Sequence, residues 1–273
     1  MDSRRNLNNY FIETFYNEDI DPDIMDKLWD VLFELCHFGT QYMSNEVCFI
    51  SLYGSQNYGL ANKDSDIDCE CFVFPSAENI IFHKPMISTT ITTKYGTCVI
   101  KDIRAMFDEL RKSSPNILEC IATNYTIVNR DYQKIITDMC NKVDDYATLS
   151  EYKLLRGLEG LYRRYAKDCN GNCKYYANFL RICEMINSIL HDQEWYYHSL
   201  LVPKELEYLR WVKNNKDFKA VFREDFFNDL CFNMDEQLKH YFDTHEYTYV
   251  AYIYERINYV QKELFNRYIK LNF

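Results

Sequence analysis

Glycine and proline are scarce in this chain, with 7 and 5 residues among 273. That scarcity excludes long flexible linkers, collagen-like repeats and low-complexity segments. No run approaches eighteen uncharged apolar residues, so no transmembrane helix is expected. The first residues, Met1-Asp2-Ser3-Arg4-Arg5-Asn6, are polar and lead into no apolar segment, so no secretory signal is expected either. Positive charge is also in short supply. Lys and Arg number 31 against 41 Asp and Glu, a net charge of −10, which argues against a wide basic surface that coats duplex DNA. A small-nucleotide site that carries its own metal stays allowed. The eleven cysteines are odd in number and follow no framework spacing. Cys169 and Cys173 form a loop-like pair, but no second pair is spaced to complete a zinc site. Buried, reduced thiols and a cytoplasmic location are the expectation.

What is present is a core-forming chain, 47% apolar, with 24 Tyr and 18 Phe. Apolar residues at helical spacing predict a helix over residues 23–38, with Pro22 before it. Strand formers follow at 46–53 and, with period-two alternation, at 67–74. Residues 89–93 and 97–100 flank Lys94-Tyr95-Gly96 as a hairpin, and the helical period begins at Asp102, a plausible N-cap. Ser114-Pro115 opens a further short helix. Beyond about residue 130 strand signals nearly vanish. Helical patterns run over 151–167, 174–190, 204–213, 224–243 and from 247 onward. The fold class expected is therefore α+β, a small mixed-sheet domain over residues 1–135 followed by an all-helical domain over 136–273.

The segment that carries chemistry is Tyr53-Gly54-Ser55-Gln56-Asn57-Tyr58-Gly59-Leu60-Ala61-Asn62-Lys63-Asp64-Ser65-Asp66-Ile67-Asp68. A strand ends in Gly54-Ser55, where glycine lets backbone N–H groups approach an anion. The Ser55 hydroxyl and the N-terminus of a following helix would add donors. The next strand then opens with Asp66-Ile67-Asp68. Residues two apart on a strand point the same way, so Asp66 and Asp68 present paired carboxylates, which repel unless a cation lies between them. Such a pair facing triphosphate oxygens suits Mg²⁺ or Mn²⁺. Each half alone is a weak signal, since Gly-Ser is common and Asp-x-Asp often marks a polar loop. Joined between two apolar strands, they are a strong one.

On these residues the segment resembles the DNA polymerase β-type nucleotidyltransferase superfamily, with its hydrophobic-Gly-Ser and Asp-hydrophobic-Asp signature. It is most similar to the family of predicted nucleotidyltransferases that carry Gly-Ser-x-x-Tyr-Gly and Ser-Asp-Ile-Asp, some of them found beside RNA ligases. Val73-Phe74-Pro75, Ile103-Arg104-Ala105-Met106-Phe107 and Ser114-Pro115-Asn116-Ile117-Leu118-Glu119 extend the likeness, as does the stretch Lys174 to Arg181. The resemblance implies a polymerase β-like fold, an NTP held by Gly54, Ser55, Tyr58, Lys174 and Arg181, metal on Asp66 and Asp68, and transfer of NMP to an acceptor hydroxyl. That acceptor would be an RNA or tRNA end, a protein or a small molecule. The superfamily's third carboxylate on a later strand falls here on Thr97, which is neither a base nor an anionic ligand. Asp102 is the first alternative, Glu70 the second, and no third carboxylate the remaining one. The last of these would make the chain an inert nucleotide- or RNA-binding module. A separate alternative is a protein-binding, antitoxin-like subunit with the aromatic helical half as its interface.

Two further features have a bland and a sharp side. Lys153, Arg156, Arg163, Arg164 and Lys167 fall within about a 100° arc of one helix, either a solvated face or a surface for triphosphate or an RNA end. Tyr175, Tyr176, Tyr196 and Tyr197 are either core and interface residues or stacking partners for bases.

Overall fold

The computed structural model describes residues 7–14, 20–37, 47–62, 65–169, 171–191 and 203–272. Six strands form one sheet in the order β1-β6-β2-β3-β5-β4. They are β1 (Phe11–Thr14), β2 (Val47–Tyr53), β3 (Asp68–Val73), β4 (Ser88–Thr92), β5 (Thr97–Asp102) and β6 (Thr126–Asn129). All pairings are antiparallel except β3 with β5, which run parallel, so the sheet is mixed. Among the described residues no helix is long and apolar enough to cross a membrane.

Helix α1 (Pro22–His37) begins at the proline that marks its start in the sequence. It lays Leu28, Val31, Leu32 and Leu35 on one face of the sheet, against Ile50, Cys69, Cys71, Ile100 and Ile127. The opposite face carries Phe49, Phe72 and Val128. The alternation along β3, with Cys69, Cys71 and Val73 to one side and Phe72 to the other, is what a strand buried on both faces requires. On that second face lie α3 (Ile103–Leu110) and α4 (Pro115–Ala122), after the short α2 (Ala77–Ile81). Outside them pack α5 (Gln133–Cys140), α6 (Val143–Ala147), α7 (Glu151–Asp168) and α8 (Cys173–His191). The C-terminal helices are α9 (Leu206–Asn214), α10 (Phe218–Val221), α11 (Glu224–Thr244) and α12 (Ala251–Asn272).

The α+β class expected from the pattern is the class found. One apolar core runs from Phe72 and Phe107 of the sheet region through Leu154, Leu158 and Phe179 to Leu264 and Tyr268. The expected division at residue 135 falls inside α5. Strands β1 and β6 and helices α5 and α6 were not legible from the pattern. Each of these strands has four residues, too few to display a period of two. All eleven cysteines are free thiols.

The hairpin between β4 and β5 reaches the segment that carries the two aspartates. Its tip closes through Thr93 N–H to the Gly96 carbonyl at 2.8 Å, with the Thr93 hydroxyl accepting from Tyr95 and Gly96 N–H. The Tyr95 carbonyl accepts from Ile67 N–H at 2.8 Å, so the tip is docked on the residue between Asp66 and Asp68. Gly96 permits this approach, because a Cβ there would lie 2.4 Å from the Ile67 carbonyl oxygen. Gly96→Ala must therefore push the hairpin off the Ile67 backbone. It should destabilise the fold by about 1–3 kcal/mol, the usual range for forced overpacking, as measured by urea denaturation.

Candidate active site

Strand β2 delivers the chain to Gly54, which has φ +83, a left-handed conformation that glycine adopts without strain. A Cβ at Gly54 would come within 3.6 Å of Asp68 Oδ2, so glycine also leaves room beside that carboxylate. The expected helix after Gly54-Ser55 is absent. Residues 54–59 form successive turns, with Asn57 N–H on the Gly54 carbonyl and Leu60 N–H on the Ser55 carbonyl. Gly59, at φ +69, turns the chain again where a helix would have continued.

Asp68 opens β3, and its partner across the parallel pairing is the start of β5. Thr97 donates to Asp68 Oδ1 twice, from its hydroxyl at 2.6 Å and its backbone N–H at 3.2 Å. These bonds fix one carboxylate oxygen and direct the other towards Gly54. Asp66 stands two residues earlier, with Ile67 buried between them. Asp66, Asp68, Ser55, Asn62 and Ser65 line one cavity of about 260 Å³ with Lys174 from α8 and Lys213 from α9. Two carboxylates thus share a small cavity with two ammonium groups. Among the described residues no three His, Cys, Asp or Glu side chains converge as a metal cage. Two carboxylates among hydroxyl and amide oxygens are a donor set that would suit Mg²⁺ or Mn²⁺, which take oxygen ligands.

Lys213 is the residue that sequence reasoning missed. It lies some 150 positions after the loop it touches, and no local spacing could have signalled the contact. Its ammonium donates to the Leu60 carbonyl at 2.6 Å. Burial, followed by the proximity of Lys174, lowers its pKa to about 8. Three residues earlier, Arg210 donates through Nε to the Gly59 carbonyl at 2.7 Å. One residue later, Asn214 Oδ1 accepts from the Asn62 side chain at 2.7 Å. One face of α9 therefore grips the loop at three successive places.

Other expected residues stand behind the cavity or away from it. Tyr58 is buried beneath the loop, with the Arg181 guanidinium 3.8 Å from its ring centroid. Arg181 donates to Glu119 Oε1 at 2.9 Å, and both are 4% exposed. Burial opposes the Arg181 charge, but Glu119 more than reverses this and holds the guanidinium above its ordinary pKa. Tyr58 and Arg181 are thus supports of the loop and do not line the cavity. Lys153 and Arg156 are not brought to the cavity either. Lys153 donates to the Arg111 carbonyl and lies over the Tyr247 ring. Arg156 pairs with Glu159 and covers Phe242 at 3.5 Å. Aromatic residues from α11 and the segment before α12 thus meet these two cations, while Arg163, Arg164 and Lys167 of the same arc are exposed. Tyr176 is core and Tyr175 is exposed, while Tyr196 and Tyr197 lie outside the described residues.

The structure also separates Asp102 from the pair. Because β5 runs parallel to β3, Thr97 meets Asp68 while Asp102 aligns with Val73. That places Asp102 at the far end of the strand, roughly 16 Å from Asp68 at the usual rise per residue. Asp102 is fully buried, caps α3 through Arg104 N–H and holds the Arg104 guanidinium at 2.6 Å. Glu70 shares the strand face of Asp68 but is buried against Lys101 at 3.1 Å, and burial raises its pKa. Thr97, at the position where the superfamily resemblance puts its third carboxylate, is the residue beside the pair.

The motif, the parallel β3–β5 pairing and the cavity together describe a polymerase β-type nucleotidyltransferase architecture. A family model described as the RNA repair pathway DNA polymerase beta family matches residues 30–201, and the chain belongs to that family. A search of curated proteins finds no match. Helix α9, with Arg210 and Lys213, lies beyond the matched segment.

The lowered pKa of Lys213 has a sign that can be measured. Below pH 8 both the folded and unfolded chains carry its proton. Between about 8 and its ordinary 10.5 the unfolded chain binds more of it, so this residue makes stability rise with pH in that window. Lys213→Met should remove that rise, in thermal scans of the two proteins across pH 7–11.

Proposed function

We propose that the chain is a divalent-metal-dependent nucleotidyltransferase that moves NMP from an NTP to an acceptor hydroxyl and releases pyrophosphate. The observation that carries the reading is the single cavity shared by Ser55, Asp66, Asp68, Lys174 and Lys213. Membership of the RNA repair pathway DNA polymerase beta family supports it and favours an RNA end as acceptor.

In this reading Asp66 and Asp68 hold Mg²⁺ or Mn²⁺, which supplies Lewis-acid polarisation of the α-phosphate and a template for in-line attack. The Gly54-Ser55 turn receives β- and γ-phosphate oxygens through backbone N–H groups and the Ser55 hydroxyl. Lys174 and Lys213 meet the triphosphate charge, which relieves the repulsion between two ammonium groups that face one cavity. The acceptor oxygen bonds to the α-phosphorus, the bond to the bridging oxygen breaks, and pyrophosphate leaves. Thr97 orients Asp68 through its two hydrogen bonds and takes no proton, so the hydroxyl proton passes to water.

A second reading has its own observation. With Thr97 where the superfamily usually carries a carboxylate, the same cavity suits a module that binds nucleotide and metal without turnover. Incubation with each α-labelled NTP, Mg²⁺ or Mn²⁺ and RNA separates the two, since only the first transfers label. Under the leading reading Asp68→Asn should cut transfer by at least about a hundredfold, as loss of a metal ligand does, and should abolish the thermal shift given by Mn²⁺ with a non-hydrolysable NTP. Asp102→Asn keeps a good cap and lies far from the pair. It should leave transfer within about twofold of wild type per folded molecule, while its melting temperature falls from loss of the Arg104 ion pair.

A further inference from the structure

Helix α9 turns a second surface to solvent beside its contacts with the loop. Trp211 is 50% exposed and Tyr208 is 42% exposed, although both are large aromatic side chains. Their rings stack on each other, with centroids 5.8 Å apart and planes 28° from parallel. Trp211 forms one wall of a groove of about 580 Å³, completed by Glu207, Arg210, Asn214, Asn215 and Lys216. The groove is not remote from the nucleotide cavity. Asn214 lines the groove and Asn62 lines the cavity, and the hydrogen bond between their side chains joins the two walls. Lys213, on the same turn as Trp211 and Asn214, lies in the cavity.

We infer that this groove receives the single-stranded RNA end whose hydroxyl is presented to the nucleotide cavity. The inference rests on the nucleotidyltransferase reading for the role of that end, but the binding itself is separable from it. The chemistry of the lining is what an unpaired nucleotide needs. An exposed indole, already stacked on a tyrosine, offers a π-face that any base can extend. Lys216 offers positive charge to the backbone phosphates, while Arg210 is held by Glu207 at 2.7 Å and by the Gly59 carbonyl and forms a fixed wall of the groove. Asn214 and Asn215 carry amide groups that both donate and accept, suited to base edges and to the ribose 2′-hydroxyl. Duplex RNA would not fit the same requirement, because its bases are already stacked. The net negative charge of the chain fits a binder of one or two terminal nucleotides better than one of a long tract.

The test uses the full chain and a short single-stranded RNA labelled with fluorescein at its 5′ end and free at its 3′ end, read by anisotropy. Trp211→Ala should weaken binding by roughly 5- to 100-fold, the range for loss of one base–aromatic stack, and Trp211→Phe should recover most of it. Lys216→Glu should weaken binding and flatten its dependence on salt. The thermal shift given by Mn²⁺ with a non-hydrolysable NTP should be unchanged in Trp211→Ala, because Trp211 does not line the nucleotide cavity. Equal RNA binding by wild type and Trp211→Ala would overturn the inference, as would a wild type that binds only duplex RNA or no RNA. A concentration-dependent dimer lost in Trp211→Ala, without a change in RNA affinity, would assign the groove to a second copy of the chain. Transfer of label to a protein and not to RNA would likewise overturn it. If wild type gives neither NTP-dependent shift nor label transfer, the nucleotidyltransferase reading fails, and Trp211-dependent RNA binding would still support the groove.

Discussion

Beneath the turn that follows β2, Arg181 of α8 reaches Glu119 of α4 at 2.9 Å while its guanidinium covers the Tyr58 ring. Charges so deeply buried are costly unless each is answered, and here each answers the other. The pair does more than cancel charge. Lys174 lies seven residues before Arg181 on α8, two helical turns away and on the same side. Fixing Arg181 under the loop therefore fixes where along the helix axis Lys174 meets the cavity. Glu119 serves the loop in another way, since its backbone carbonyl accepts from the Asn57 side chain at 3.3 Å. One ion pair thus sets the level of the loop, the register of α8 and the height of a cationic wall.

A second constraint comes from the direction of one strand. Had β5 run antiparallel to β3, its last residues would have met Asp68, and Asp102 would have stood at the pair. The parallel pairing brings its first residue there, so a hydroxyl and an N–H hold one oxygen of the carboxylate. The hairpin tip that precedes Thr97 is itself pressed on the Ile67 backbone through Gly96. The two aspartates are consequently held by backbone contacts and by a short donor, not by a third acid.

These particulars explain what could be read without coordinates. The convergence of Ser55, Asp66 and Asp68 on one cavity was legible because these residues lie within about a dozen positions of one another. The strand at 97–100 was legible as a strand, but not its direction beside Asp68, which hydrophobic alternation does not encode. That is why Asp102 looked suitable, whereas Thr97 was set aside for its chemistry alone. The basic arc on α7 was correctly periodic, yet periodicity cannot say whether a cation faces water or a ring. Tyr247 and Phe242, from elsewhere in the chain, decide that. Lys213 was invisible for the same reason in a stronger form, since its partner Leu60 is 153 residues away in the chain.

That separation has a consequence for the order in which the protein is made. The residues of the signature leave the ribosome before the groups that clamp its loop, Arg210 and Lys213, and Lys213 comes last along the chain among the residues that line the cavity. At ordinary elongation rates of about 5–20 residues per second, roughly 8–30 s pass between the emergence of Gly59 and that of Arg210. During that interval the Gly59 and Leu60 carbonyls have no partner on α9, and the carboxylates face a cavity without its α9 wall. Nascent chains that end before Arg210 would therefore display the Gly54-Ser55 and Asp66-Ile67-Asp68 elements around a cavity that still lacks its α9 wall.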